Sequence, residues 1–366
     1  MTSDTIAMPA FKNWHGKKVA VVGAGICGSL TAWVAQQAGC EVHVFEPDRD
    51  KKSCSFTAAG MLAPMAELES SDDNIYRLGL QSVSLWPQII KALELPVFHR
   101  DNGTLVVSHH QDVGVFNQFV NVLKNKLGEQ FASSCELLDG QNLEPDLKNL
   151  GTALYLKNEA QVDSHQTLAA LHQRLQQGLK NKAHWHWQSA KHINPHQVND
   201  LEFDWVFDCR GLAAAADIPG LHGVRGEVIM VHAPQVNISR MVRVMHPRYK
   251  IYIVPREDNR YMIGATEIQS DDTGPISVRS TLELLSAAFS VHSGFAEARI
   301  LKLDTNARPA TMDHQPIIDH QAGLTRINGL YRHGYLLAPA VVKKALGALG
   351  IDVASNLKQG VYADCI

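Results

Sequence analysis

The stretch Lys17-Lys18-Val19-Ala20-Val21-Val22-Gly23-Ala24-Gly25-Ile26-Cys27-Gly28 decides the fold of this 366-residue chain. A short apolar run rich in β-branched residues ends in glycines spaced G-x-G-x-x-G. Ser29 to Gly39 then reads as a helix, and Glu41-Val42-His43-Val44-Phe45-Glu46 as a second strand closed by an acid. This strand–turn–helix–strand unit suits a dinucleotide. Gly23 permits the tight turn, Gly25 lets the backbone approach a pyrophosphate, and Gly28 lets the helix pack near the strand. The helix N-terminus offers free N–H groups to the anion, and Glu46 can accept from a ribose hydroxyl.

Val19 to Cys40, behind two lysines, also resembles a signal peptide or a membrane span. A span needs about twenty apolar residues, whereas this run contains Gln36-Gln37 and closely spaced glycines and lacks a suitable cleavage site. Hydrophobic residues make up 45% of the chain and charged residues 19%, as in an ordinary soluble globular protein. The length predicts a large core split between two domains. A net charge of −3 argues neither for nucleic acid nor for an anionic membrane surface as a partner. The six cysteines, at 27, 40, 54, 135, 209 and 365, form no C-x-x-C pair and read as reduced thiols of a cytoplasmic protein. The 18 histidines are scattered. His184-Trp185-His186-Trp187 could suggest a metal, but its period of two is that of a half-exposed strand, and no metal is expected.

Residues 1–16 read as a polar leader and Pro47 to Lys52 as a solvated turn. Small and hydroxyl residues crowd Ser53 to Pro64. They suit either a backbone lying against a flat cofactor or a tight helix–helix contact. Helices are predicted over Asn74–Leu93 with a break at Pro87, and over Val115–Leu127, Ser164–Leu179 and Arg279–Ser290. Strands are predicted at Gly103–Ser108, Thr152–Leu156, Glu227–Val231, Lys250–Val254 and Tyr261–Ile263. Phe203 to Leu212 reads as a strand ending at Gly211, a second place for backbone to meet a nucleotide. Near the C-terminus a strand ends at Gly329-Leu330-Tyr331, and a loop leads into a helix over Leu336–Leu349. The positive end of that helix suits an electron-rich group such as a flavin ring, although a plain surface cap has the same pattern.

Together these motifs resemble the flavin amine oxidases of the D-amino-acid oxidase superfamily, with the glycine oxidase branch of thiamine biosynthesis nearest. The resemblance rests on Gly23 to Glu46, Ala58-Ala59-Gly60-Met61-Leu62-Ala63-Pro64, Tyr252-Ile253-Val254-Pro255-Arg256, Gly264-Ala265-Thr266, Arg308-Pro309 and Arg332 to Pro339. It implies an α/β (α+β overall) fold. A Rossmann-like FAD-binding domain of the glutathione-reductase type (1–80, 150–222 and 305–366) would join a substrate domain with a mostly antiparallel sheet (81–149 and 223–304). FAD is the implied cofactor, held without a covalent bond, because no cysteine occurs between 210 and 364. Ile26 and Cys27 would lie on the pyrophosphate and Glu46 on the ribose. Ser55, Ala59, Gly60 and Met61 would line the flavin, Ala190 would touch the adenine, and Tyr331, Arg332, His333, Gly334, Tyr335 and Leu336 would wrap the pyrimidine end.

On the substrate side the resemblance implies Arg308 as carboxylate anchor, since guanidinium binds carboxylate in a planar fork; a structural salt bridge is the other reading. Tyr252 would donate to the same carboxylate or simply pack in the core, and the Arg332 carbonyl would face the substrate amine. The implied reaction moves a hydride from the substrate α-carbon to flavin N5. The resulting imine hydrolyses to an oxo acid and ammonia, and oxygen returns as hydrogen peroxide. Glycine, sarcosine or a small D-amino acid is the expected substrate, and a homo-oligomer is possible. Rival readings are a same-fold dehydrogenase feeding a quinone or protein, a flavoprotein without turnover, and a nicotinamide dehydrogenase. Glu267 and Lys250 depart from the glycine oxidase pattern and would suit a larger or basic amine if they line the pocket.

Overall fold

The β-branched run forms a strand, Lys18–Val22, buried from Val19 onward. In the computed structural model, which describes residues 13–47, 49, 53–178, 182–247 and 251–353, this strand lies inside a six-stranded sheet. Glu41–Phe45 pairs with it in parallel on one side and Trp205–Asp208 on the other. His184–His186 and Leu324–Asn328 extend the sheet, again in parallel, and Ile317–Gln321 closes one edge antiparallel. The sheet is thus assembled from the start, middle and end of the chain. Parallel strands need helices over their faces, and the apolar periodicity supplies them. The Ile26–Gln37 helix is buried from Ile26 to Gln36 and packs against Ser164–Gln177 and Gly334–Ala348.

Several element boundaries move. The first helix begins three residues earlier than Ser29, because Gly25 takes the extended N-cap conformation (φ −66°, ψ −177°) and the chain turns helical at once. The Asp73–Leu93 helix is capped by Asp72 and runs through Pro87 without a break. Proline there removes a donor and costs roughly 3 kcal/mol. Burial of Leu85, Trp86 and Ile89 on the same stretch offsets it, each contributing about 1.5–3 kcal/mol. Trp86 Nε1 also donates to the Tyr335 carbonyl at 3.0 Å. The C-terminal helix starts at Gly334 rather than Leu336, after a 3₁₀ turn at Tyr331–His333. Leu179, the predicted end of the Ser164 helix, and most of the leader and the Pro47–Lys52 turn lie outside the described residues.

A second, nine-stranded sheet is mostly antiparallel. Its long strand His222–His232 pairs with Arg299–Ala310 on one side and Arg260–Gly264 on the other. Ile251–Pro255, Met241–Met245 and Thr104–Ser108 follow, the last two in parallel. Side chains alternate across the long strand. Arg225 and Glu227 point to one face, where they pair at 2.7 Å, and Val224, Gly226 and Val228 point to the other. The Val278–Val291 helix buries Leu284, Ala288 and Val291 with Ile229, Val231 and Ile253. Thr152–Leu156 pairs within this sheet, while the Asp73–Leu93 helix joins the core of the first. Sheet membership therefore crosses the boundaries drawn from sequence at 150 and 80.

Among the described residues no helix is long and apolar enough to cross a membrane. Glu41, His43 and His184 each bring a ligand atom within 4.8 Å of the others. The His43 and His184 rings stack, however, with centroids 4.5 Å apart and planes at 21°. Their lone pairs therefore lie in nearly parallel planes, and both His43 nitrogens already have partners, Glu41 Oε1 and His186 Nε2, each at 2.9 Å.

Candidate active site

The carboxyl ends of Lys18–Val22 and Trp205–Asp208 open into a cavity of about 1250 Å³, walled on its far side by the antiparallel sheet. That exceeds the roughly 300–1,000 Å³ of a typical small-molecule pocket, leaving room for a dinucleotide beside a small substrate. Every residue singled out from sequence lines it except Gly28 and Ala190. Gly28 works from behind: a Cβ there would overlap the Gly23 carbonyl oxygen, so only glycine lets the helix start against the turn. Ala190 packs instead against the small core around Val198 and Phe203. Lys250 lies outside the described residues.

The glycine turn fits a pyrophosphate. Gly25 offers no side-chain cap, no acid occupies the first turn, and the first N–H groups of a helix have no partner within it. The Ile26 N–H donates to Ser55 Oγ at 2.9 Å, which ties the Ser53–Thr57 turn to the same end. The Ala24 N–H donates to Glu46 Oε2 at 2.8 Å, holding at the cavity wall a carboxylate able to accept from a ribose hydroxyl. A second helix, Gly334–Ala348, aims its N-terminus at the cavity, also with no acid in its first turn. Tyr331 leads into it with a left-handed backbone (φ 50°), a conformation costly for a non-glycine residue and frequent at functional sites. The donor set therefore fits FAD: one helix end for phosphate, one acid for ribose, and one helix end for an electron-rich ring edge.

The charged residues divide sharply. Arg332 is spoken for: Nη2 lies 2.7 Å from Glu67 Oε2 and 2.5 Å from Ser70 Oγ, and Nη1 lies 2.8 Å from Glu267 Oε2. Burial works against ionisation of Glu67, yet Arg332, His333 and Arg243 hold its carboxyl down at about 2. Burial lowers His333 to about 4 despite Glu67, so its imidazole is neutral at physiological pH. Arg243 pairs with Glu69 at 3.0 Å, Arg210 with Asp208 at 2.8 Å, and Arg279 with Glu283 at 3.0 Å. Arg308 differs. It donates to the Thr266 carbonyl at 3.1 Å, and among the described residues no carboxylate pairs with it. Tyr252 stands nearby on the same sheet face, and its phenol is pushed up by burial, against the pull of Arg308. It stays protonated and able to donate.

Sequence reasoning missed Glu67, Arg243, Gly226 and Asn306, all in the cavity wall. Glu67 and Arg243 belong to no short motif, and only the fold brings Glu67 to Arg332 and Arg243 into the same cavity wall. Gly226 did carry a signal, a glycine with a valine two residues away on each side, but it fell just outside the strand predicted over Glu227–Val231. The departure at Glu267 is now located: it lines the cavity and pairs with Arg332.

The family profile described as DAO, FAD dependent oxidoreductase, matches residues 18–345. The Rhizobium etli protein named as the thiamine biosynthesis oxidoreductase ThiO is 38% identical over 329 residues, covering 88% of this chain and 94% of that protein. A glycine oxidase of Geobacillus kaustophilus is 24% identical over 360 residues, covering 89% and 90%. The crystal structure of glycine oxidase from Geobacillus kaustophilus superposes with a TM-score of 0.80 at 23% identity, over 92% of this chain and 95% of that one. Iminodiacetate oxidase from Chelativorans sp. BNC1 gives 0.77 at 22%, over 91% and 95%. At such identities the two structures establish the fold alone: a DAO-type FAD-binding fold of mixed sheets and helices.

Proposed function

The chain belongs to the FAD dependent oxidoreductase family, and from that premise we propose that it oxidises glycine, sarcosine or a small D-amino acid to the imine. It is an FAD-dependent oxidoreductase of the glycine oxidase and ThiO type. FAD, when bound, supplies the hydride acceptor. Arg308 and Tyr252 take the substrate carboxylate, one by a two-bond fork and one by a single donated hydrogen bond. With the carboxylate fixed, these two side chains would orient the α-C–H for transfer to FAD, so positioning is their main contribution. The amine must be neutral before it can expel a hydride, so activity rises with pH across the amine titration. Water then converts the imine to an oxo acid and ammonia, or a primary amine from an N-substituted substrate. Oxygen is the proposed electron acceptor, giving hydrogen peroxide. The thiols Cys27, Cys40, Cys54, Cys135 and Cys209 are free, in keeping with a reducing, cytoplasmic setting.

Arg308 in the cavity wall, with no carboxylate partner among the described residues, carries this reading. The test is an anaerobic titration of the yellow protein with glycine, sarcosine, small D-amino acids and a few basic amines. The absorbance near about 450 nm, characteristic of oxidised flavin, is expected to bleach with one of the carboxylate-bearing amines. Admitting oxygen should then return the colour with peroxide. Bleaching by no amine in the panel sinks the proposal, and bleaching without peroxide on reoxidation replaces oxygen by another acceptor.

A further inference from the structure

We propose that Gly226 is a positioning residue for the substrate anchor: its missing side chain makes the seat on which the Arg308 guanidinium lies. The inference rests on the reading of Arg308 given above. Gly226 sits inside the His222–His232 strand, between Val224 and Val228 on the same face. Glycine in a strand interior costs about 0.5–1 kcal/mol relative to alanine, and it commonly marks a close approach of another group. Here the group is identifiable. In the antiparallel register Val224 faces Arg308 and Gly226 faces Asn306, so Arg308 reaches Gly226 along the diagonal. A Cβ built on Gly226 would fall on the guanidinium itself, nearest Nη2 and Cζ, and 2.7 Å from Nη1.

Two contacts therefore fix the fork. The bare Gly226 backbone lies beneath it, and the Thr266 carbonyl accepts from Nη1 at its edge. Both Gly226 and Arg308 line the cavity. The atoms a new methyl would meet belong to the far end of a flexible side chain. Alanine at 226 therefore displaces the guanidinium and leaves the strand pairing intact. At Gly28, by contrast, the obstacle is backbone. Gly226 touches no substrate in this account; it sets the height and tilt of the group that does.

The test uses the FAD-loaded protein with acetate as carboxylate probe, its Kd read from the perturbation of the flavin spectrum. Gly226→Ala is expected to raise the acetate Kd about tenfold to a hundredfold, the worth of a charged hydrogen bond. Flavin content and melting temperature should hold. In an Arg308→Ala background the same substitution should change nothing further, because its target is gone. A Kd unchanged by Gly226→Ala but raised by Arg308→Ala overturns the proposal and leaves the anchor standing. Equal weakening in both backgrounds overturns it as well, by making the effect structural. A double variant that fails to fold shows that the methyl meets something other than Arg308, and also overturns it. A Kd unmoved by Arg308→Ala removes the anchor, and this inference with it.

Discussion

The backbone N–H of Ala24 donates to Glu46 Oε2 at 2.8 Å, so the acid ending the second strand is fastened to the glycine turn ending the first. Glu46 thereby shapes the turn and presents charge to the cavity at once. Glu46→Gln keeps an acceptor for Ala24 and loses the charge. A ribose hydroxyl bonded to the carboxylate is worth about 1.5–3 kcal/mol, so FAD affinity should fall tenfold to a hundredfold. Titrating apoprotein with FAD measures it. An unchanged Kd would confine Glu46 to the turn.

Gly25→Val separates fold from cofactor. The Gly25 backbone (φ −66°, ψ −177°) is open to any residue, and the nearest atom to a new Cβ is Ser55 Oγ at 3.0 Å. The fold should survive, while the branched side chain stands where a pyrophosphate must approach. The purified variant is expected to be colourless, with a circular dichroism spectrum like that of the parent. A yellow variant would place the pyrophosphate elsewhere.

Arg308→Ala should raise KM for carboxylate-bearing amines by orders of magnitude with FAD retained, since a two-bond charged fork is lost. Arg308→Lys keeps the charge without the fork and should recover only part of the loss. Steady-state kinetics under air decide it. A KM unmoved by either change takes Arg308 out of the substrate site.

Much of this was legible beforehand for a physical reason: strand, turn, helix and acid follow one another within thirty residues of Lys17, and local sequence dictates local geometry there. The C-terminal helix was legible as a helix for the same reason. Its start was misplaced by two residues because Tyr331–His333 forms a turn that no periodicity marks. Pro87 misled because propensity says nothing of Trp86 and Tyr335 on either side of a helix pair. The Glu67–Arg332–Glu267 bridge joins three separate stretches of the chain, the nearer pair 65 residues apart. Only the folded chain could reveal that Arg332 is paired with carboxylates while, among the described residues, Arg308 is not.

Glu267→Met tests whether that bridge also selects substrates. Glu267 lines the cavity; burial opposes its ionisation, but the Tyr331 hydroxyl and then Arg332 hold its carboxyl below the usual range. Methionine removes a negative charge that would favour basic amines, while Arg332 keeps Glu67 and Ser70. The ratio of kcat/KM for glycine or sarcosine over a basic amine should rise about tenfold, the scale of one partly screened charge contact. An unaltered ratio would mean that substrates do not reach Glu267.

Stability should depend on pH through Glu159, a buried carboxyl that accepts the Ala66 N–H at 2.7 Å behind the cavity wall. Burial pushes it up from 4.5 to about 7, against the smaller opposing pulls of the Thr104 hydroxyl, the Ala66 N–H and Arg243. The folded chain thus binds a proton that the unfolded chain releases between those two values. Its contribution is fully present below pH 4.5 and is lost as pH rises through about 7, a difference of about 3 kcal/mol at most. Glu67 has the opposite sign. Its contribution is present above pH 4.5 and lost only as pH falls through about 2, so it stays constant between pH 5 and 8. Glu159→Gln fixes a neutral acceptor at Ala66 and should flatten the decline. Relative to the parent, the variant should gain melting temperature from pH 5 to about pH 7 and level off above it. Parallel melting curves across that range would show that Glu159 does not titrate there, and would return the Ala66 contact to an ordinary ionised carboxylate.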